Sequence, residues 1–501
     1  MKILKRLSLI ATVFSGQLIT DPNGLFKKIT ERLRTHSFSI NLPHIPSPSP
    51  EGERLLKLGE LTASVHEFEA QGIRGRWRAR QVKRQLEELA TPISSSVSLS
   101  DDRVVKNVVY FLTNSVPFTH SGYTERSQKI LKVLQEIGIN VHAVTRLGYP
   151  VLIGRFSKIS NNSVEGVNYS HLLPWRYPWS WSKRFELAVD MLVKEASRVQ
   201  ADILHTTTDY KNAIITSHAA REMGIPWVYE TRGELQKTWL SKIPEALREA
   251  ASQSEFYRKA SAKELEAMGK ASAVISLSEI SKANFSSLGI PVEKITVVPN
   301  AIAGSELSID FDKTKIRSEL GLPNEFIVGT VTSVVGYEGL DDLLRGLKVL
   351  DNVFCLIVGD GEARPSLEIL AQELKIQHRV IFVGKQPSES IWRWYAALDA
   401  FVVPRKDFEV CRTVTPIKSL RAQALGVPVI ASDLPALREV TGNIALYSVP
   451  ESARSIADTI DKVRNLSTHE LAKIRNKGRG WVQGRTWKEN ARQIGILYRQ
   501  L

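Results

Sequence analysis

The sequence predicts an α/β protein: two Rossmann-like, doubly wound domains facing a cleft, preceded by a helical extension. Three observations carry this. Short Val/Ile-rich runs alternate with segments of helix length, the pattern of parallel sheets covered on both faces. The runs fall into two series, separated near residues 300–322. Residues 1 to 103 have a different texture, rich in proline, serine and arginine. The division that follows is an extension at 1–103, a first domain at 104–305, a second at 306–476 and a returning C-terminal helix at 477–501.

Length and composition agree with this. A chain of 501 residues is long enough for two or three domains. With 43% hydrophobic and 24% charged residues it is an ordinary globular chain, neither disordered nor collagenous. Its 67 Lys+Arg against 53 Asp+Glu leave a net charge of +14, which favours anionic partners. No recognition motif for nucleic acid accompanies that charge. Two cysteines, Cys355 and Cys411, are expected as reduced thiols of a cytoplasmic protein. No run approaches the roughly 18 apolar residues of a spanning helix. Met1–Arg6 followed by LSLIATVF has the order of a secretory signal but no clean cleavage site, so an amphipathic or disordered lead-in is expected.

Within the extension, PHIPSPSP (43–50) excludes helix, because each proline restricts its predecessor. Leu58, Leu61, Val65 and Phe68 then recur at helical spacing. That stretch runs into RGRWRARQVKR (74–84), basic around Trp77. It is either a solvated helix face or a peripheral contact with a membrane, and the aromatics Trp175, Tyr177, Trp179 and Trp181 are either such a contact or cleft or core packing. TPISSSVSLSDD (91–102) reads as a linker.

The first series of strands is expected at 107–112, 141–145, 203–206, 226–230, 273–278 and 295–298. The second is expected at 326–332, 354–358, 379–383, 400–403, 428–431 and 445–449. In such sheets ligands bind beyond the carboxyl ends of the strands. Residues 478–501 read as one helix. Asp310 and Asp312, the one D-x-D, fall between the domains and read as solvated.

The second series carries the specific motifs. VPNAI (298–302) is followed by VGTVTSVVGYEGLDDLLRGL (328–347), LIVGDG (356–361), VIFVGKQPSESIWRWYAALDAFVVPR (380–405) and TVTPIKSLRAQALGVPVIASDLPALREVTG (413–442). In order and spacing these blocks resemble the retaining GT-B glycosyltransferases of family 4, and a subgroup with a YEG loop and a VPR…TPxK block. The likeness covers roughly 107–501, and residues 1–103 have no counterpart in it.

The resemblance implies a GT-B fold and transfer of a sugar from a nucleotide-diphosphate donor, with a UDP-sugar favoured. The acceptor would be a glycan, a lipid-linked molecule or a cell-surface polysaccharide. It implies no cofactor and no metal. Charge building on the leaving phosphates would be met by cations, here Arg405 and Lys418, and by backbone amides at Gly336. No protein nucleophile is implied, since the leaving phosphate takes the acceptor's proton. Gly384 and Gln386 would meet the base, and Thr413, Thr415, Arg421 and Glu439 would complete the donor site. On the acceptor side stand Ser121, Gly122, His205, Glu230 and Arg232. A cytoplasmic enzyme at the inner face of a membrane is the expected setting.

Two positions depart from the family. Glu338 stands where many members have the lysine of a K-G pair, and a carboxylate beside a diphosphate repels unless it is paired or turned away. Thr413 and Arg421 stand where many members have two glutamates. These departures leave open a second reading, a GT-B partner or scaffold without activity. For Ser121 and Gly122 a plain strand-to-helix turn, for His205 an ordinary hydrogen bond, and for Glu230 and Arg232 a structural ion pair remain alternatives.

Overall fold

The computed structural model describes residues 8–16, 47–97, 105–155 and 160–501. They form two compact units. The first comprises Met1–Ile275, Leu288–Thr296 and Gly495–Leu501, and the second Ser276–Ser287 and Val297–Ile494.

The first unit's sheet has strands β1 (Asn107–Leu112), β2 (Asn140–Thr145), β3 (Asn161–Val164), β4 (Val167–His171), β5 (Ile203–Thr207), β6 (Trp227–Glu230), β7 (Ala273–Ser276) and β8 (Ile295–Val297). Their order is β3-β4-β2-β1-β5-β6-β7-β8. The pairings β1 with β2 and β5, β2 with β4, and β6 with β5 and β7 are parallel. β3 runs antiparallel to its neighbour β4. This pair is absent from the expectation, because NNSV and VNYSH carry little apolar signal. Its turn, Glu165–Gly166 with φ 47° and 83°, is the readable part.

The second sheet has β9 (Phe326–Val331), β10 (Val353–Val358), β11 (Val380–Gly384), β12 (Ala400–Val403), β13 (Val429–Ser432) and β14 (Leu446–Ser448), in the order β11-β10-β9-β12-β13-β14. Its pairings are parallel throughout. Alternate residues feed two separate cores. Ile327, Leu356, Val358, Phe401 and Val403 pack on one face. Val328, Cys355, Ile357, Ala400 and Val402 pack on the other. That double burial is why these strands read as unbroken apolar runs. Both cysteines are free and buried.

The extension departs from its expected form. Its helical stretch is divided among three helices, Pro50–Leu58, Leu61–Ala70 and Ile73–Ala90. Residues 59–60 and 71–72 interrupt them. Ser49 caps the first, its Oγ accepting from the Gly52 N–H at 3.0 Å. The expected linker is bound where it is described: Ser94 N–H donates to Ser217 Oγ at 3.1 Å and Ser96 N–H to the Lys270 carbonyl at 2.9 Å. Residues 1–7, 43–46 and 98–102 of the readings above lie outside the described residues. The expected single helix at 478–501 is two, Thr468–Gln483 and Trp487–Arg499. Ile302 splits them, donating its N–H to the Arg485 carbonyl and accepting from the Trp487 N–H. Among the described residues no helix is long and apolar enough to cross a membrane.

Candidate functional site

The second unit gathers a cationic centre at the carboxyl ends of β9 and β12. Thr332 follows β9, Arg405 follows β12, and Lys418 opens the helix Lys418–Ala424. Between them sits Glu338, at the end of the short 3-10 turn Gly336–Glu338. Close backbone packing holds these loops. A Cβ on Gly339 would lie 1.8 Å from the Pro404 carbonyl oxygen, and one on Gly359 1.8 Å from that of Thr332. Both glycines have positive φ. The E-G and GDG motifs are thus packing devices that bring three strand ends together.

Arg405 Nη2 donates to Glu338 Oε1 at 3.1 Å and Nη1 to the Val414 carbonyl at 3.0 Å. Lys418 Nζ contacts Glu338 Oε2 and donates to Thr332 Oγ1 at 2.6 Å. All three ionic side chains are buried. Burial raises the Glu338 carboxyl, but Arg405 and then Lys418 more than offset it and hold it at about 2. Lys418 is pushed down to about 8, by burial first and by the Arg405 charge against the attraction of Glu338. Arg405 moves up, Glu338 outweighing its burial. Two cations thus share one carboxylate. The centre keeps an excess of one positive charge. The misplaced-looking Glu338 is paired, as a tolerable carboxylate there has to be.

Not every predicted residue joins this centre. Arg421 does not: its Nε donates to Glu306 Oε2 at 2.9 Å, away from the Glu338 cluster. Glu439 accepts the Glu279 and Ile280 N–H groups at 2.8 and 3.2 Å, and so caps the helix Glu279–Ser287. Thr413 Oγ1 is returned to the Glu409 carbonyl at 3.1 Å, and its own carbonyl accepts from Ser281 Oγ at 3.0 Å. Thr415 Oγ1 lies 3.5 Å from the Leu277 carbonyl. Gly384 ends β11 with φ 78°, and Gln386 Nε2 lies 3.5 Å from the Val383 carbonyl. A Cβ on Gly336 would meet nothing within 4 Å, so open space adjoins this turn. Asp312, read as solvated, caps the helix Lys313–Glu319 through the Thr314 N–H at 2.8 Å.

In the first unit the predicted acceptor residues separate. Ser121 caps the helix Gly122–Glu136 in a capping box with Thr124. A Cβ on Gly122 meets nothing within 4 Å. Glu230 is fully buried between two guanidiniums, Arg126 Nε at 2.8 Å and Arg232 Nη2 at 2.6 Å. Arg232 also donates to Ser127 Oγ at 2.6 Å and the Tyr123 carbonyl at 2.9 Å. Sequence reasoning missed Arg126, which lies early in the helix Gly122–Glu136. His205 is fully buried, stacked on Tyr110 with ring centroids 4.0 Å apart. Its Nδ1 shares a 2.7 Å hydrogen bond with Tyr498 Oη. Burial lowers its basicity, though Glu230 opposes this. His205, Glu230 and Arg232 are thus held by protein partners, in the hydrogen bond and the ion pair that were their alternative readings.

Comparison with known proteins follows this division. Residues 121–301 match the family model "Glycosyl transferase 4-like domain", and 312–481 match "Glycosyl transferases group 1". An uncharacterized glycosyltransferase of Methanocaldococcus jannaschii is 25% identical over 218 residues, 42% of this chain and 55% of that protein. The alpha-monoglucosyldiacylglycerol synthase of Streptococcus pneumoniae is 27% identical over 291 residues, 55% of this chain and 63% of that protein. The chain therefore covers less than two thirds of either relative. Among solved structures, sucrose-phosphate synthase from Thermosynechococcus elongatus superposes with a TM-score of 0.64 at 20% identity, over 79% of this chain and 99% of that one. Anabaena HepE in complex with UDP superposes at 0.57 and 18% identity, over 79% and 100%. The chain thus carries the two domains of a GT-B-type glycosyltransferase, a glycosyl transferase 4-like domain followed by a group 1 domain.

Proposed function

We propose that this protein transfers a sugar, with retention, from a nucleotide-diphosphate donor to a glycan, lipid-linked or cell-surface polysaccharide acceptor. A UDP-sugar is the favoured donor, and no metal takes part. The observation that carries this reading is the pair Arg405 and Lys418, buried at the carboxyl ends of β9 and β12 and sharing one carboxylate. Departure of a nucleoside diphosphate builds negative charge, and fixed cations in a water-poor site stabilise it. Arg405 offers a guanidinium and Lys418 a point charge to the phosphate oxygens. Glu338 holds both cations in position before a donor arrives. The open space at Gly336 leaves room for phosphate against backbone N–H groups. The leaving phosphate then accepts the acceptor's proton, and no side chain is needed as a nucleophile.

The test is thermal unfolding with UDP, GDP, ADP and their sugar conjugates, with and without EDTA. A ligand that binds the native state raises the midpoint once it exceeds its dissociation constant. One nucleotide is expected to raise it, insensitively to EDTA, and Arg405→Ala with Lys418→Ala to abolish the rise. The second reading, an inactive partner, draws on Arg421 being held by Glu306 and on Glu338 occupying both cations. It predicts no response to any nucleotide.

A further inference from the structure

The basic segment singled out in the extension leads to a second site, inside the first unit. The helix Ile73–Ala90 places Gln81, Arg84, Gln85 and Glu88 on one face, and that face lines a cavity of about 410 Å³. The opposite wall comes from residues that lie beyond the carboxyl ends of parallel strands, two of them in the helices that follow. Leu152 follows β2, Tyr177 and Arg184 follow β4, and Lys211 follows β5. Such strand ends are where α/β sheets take their ligands. Val13, from the helical residues 8–16, adds apolar surface beside Leu152 and Tyr177.

Two other bases of the segment are committed elsewhere. Arg78 Nε pairs with Glu53 at 2.6 Å and Lys83 with Glu69 at 2.6 Å. In the cavity, Glu88 is taken by Lys211 at 2.7 Å. Arg84 Nη1 and Arg184 Nη2 instead converge on one carbonyl oxygen, that of Trp179, at 3.3 and 3.4 Å. Arg184 also donates to the Pro178 carbonyl at 2.7 Å and lies over the Tyr177 ring at 4.7 Å. Among the described residues neither guanidinium is ion-paired with a carboxylate. Two like charges are held together on a half-buried wall, and burial and Arg184 both lower the basicity of Arg84. An anion bridging the two forks relieves that repulsion, and phosphate fits two guanidinium forks. The loop carrying Tyr177 also exposes Trp175 and Trp179, at 47% and 49%. Such half-wet indole rings suit a lipid–water boundary.

We propose that this cavity binds a phosphate-bearing amphiphile, with Arg84 and Arg184 on the phosphate and Val13, Leu152 and Tyr177 against the start of its apolar chain. Binding at this cavity does not depend on the transferase reading above.

The test titrates the full chain with decyl phosphate below its micelle concentration, with inorganic phosphate and with decanol, followed by tryptophan fluorescence. Decyl phosphate is expected to bind more tightly than either part alone. Arg84→Gln and Arg184→Gln are each expected to weaken it about tenfold, or about 1.4 kcal/mol. Arg84→Lys should restore most of the affinity, and decanol should bind independently of both arginines. Arg84→Gln is the decisive variant, because Arg184 also holds the Pro178 carbonyl and its loss disturbs the loop. Unchanged decyl phosphate binding by a folded Arg84→Gln protein would overturn the proposal. Equal affinity for decyl and inorganic phosphate would reject the apolar half and reduce the site to one for free phosphate. UDP binding measured on the same wild-type sample keeps the two readings apart. Its absence would sink the donor site while leaving the amphiphile site standing.

Discussion

At the scale of single residues, the centre of interest is Glu338. It is the buried anion between Arg405 and Lys418. Removing one partner of a buried ionic cluster leaves uncompensated charge and typically costs about 3–5 kcal/mol. Glu338→Gln is therefore expected to lower stability by about 3 kcal/mol in urea unfolding. The same change frees both cations, so inorganic diphosphate should stabilise the variant more than the wild type. A variant that loses stability and gains nothing from diphosphate would make the cluster purely structural. The pH dependence follows from the same group. Its carboxyl is depressed to about 2 in the folded chain, against an ordinary value of 4.5. Its stabilising contribution is thus complete above pH 4.5 and is lost as pH falls toward 2. Lys418 acts in the opposite range. Lowered to about 8 from 10.5, it carries less charge as pH rises through 8, so diphosphate affinity should fall there. Stability itself should rise between pH 8 and 10.5, because the unfolded chain then binds the proton more tightly. Lys418→Arg, which stays charged, should flatten the decline in affinity.

At the scale of elements, the strands were plain in the sequence and the loops were only half so. Each of the twelve apolar runs is a strand, and in central ones such as β5 and β12 burial on both faces leaves an unmistakable apolar record. The polar hairpin β3–β4 has no such record. The role of Arg126 was equally hidden, since a buried arginine inside a helix looks like any surface arginine until Glu230 is seen against it. The resemblance singled out Arg405 and Lys418, which the structure brings together on Glu338, and also Arg421 and Glu439, whose side chains meet Glu306 and the Glu279 and Ile280 N–H groups instead. Helical spacing puts Arg421 near Lys418 but cannot reveal that Glu306 lies closer. The loop glycines give an element-scale prediction. Gly359→Ala forces a Cβ against the Thr332 carbonyl at a φ of 132°, so about 2 kcal/mol or more of stability should be lost. Gly336→Ala meets open space and should change stability by less than about 0.5 kcal/mol. If phosphate lies against the Gly336 turn, this near-silent change should still weaken UDP binding. Equal UDP affinity in Gly336→Ala and wild type would move the phosphate away from that turn.

At the scale of the whole molecule, each unit has its own sheet and its own buried polar network. A chain built this way need not unfold in one step. Scanning calorimetry is expected to show two transitions, and the two networks supply the means to assign them. UDP, by binding the second unit in the proposed function, should raise one transition only. Glu338→Gln should lower that same transition. The other belongs to the first unit, whose core is completed by the last residues of the chain. Tyr498 is buried there, sharing a hydrogen bond with His205 Nδ1 and donating to Tyr110 Oη at 3.3 Å. Tyr498→Phe removes both contacts and leaves a buried imidazole nitrogen without its partner. Such a loss costs about 1–3 kcal/mol. The first unit's transition should fall accordingly, while the UDP-sensitive one keeps its midpoint. His205 Nε2 lies 3.6 Å from Glu230 Oε2 and makes no hydrogen bond, so the ring has no second hydrogen bond to absorb the change. A single transition lowered by Tyr498→Phe and raised by UDP would mean that the two cores melt as one, and the assignment of separate networks to separate units would then fail.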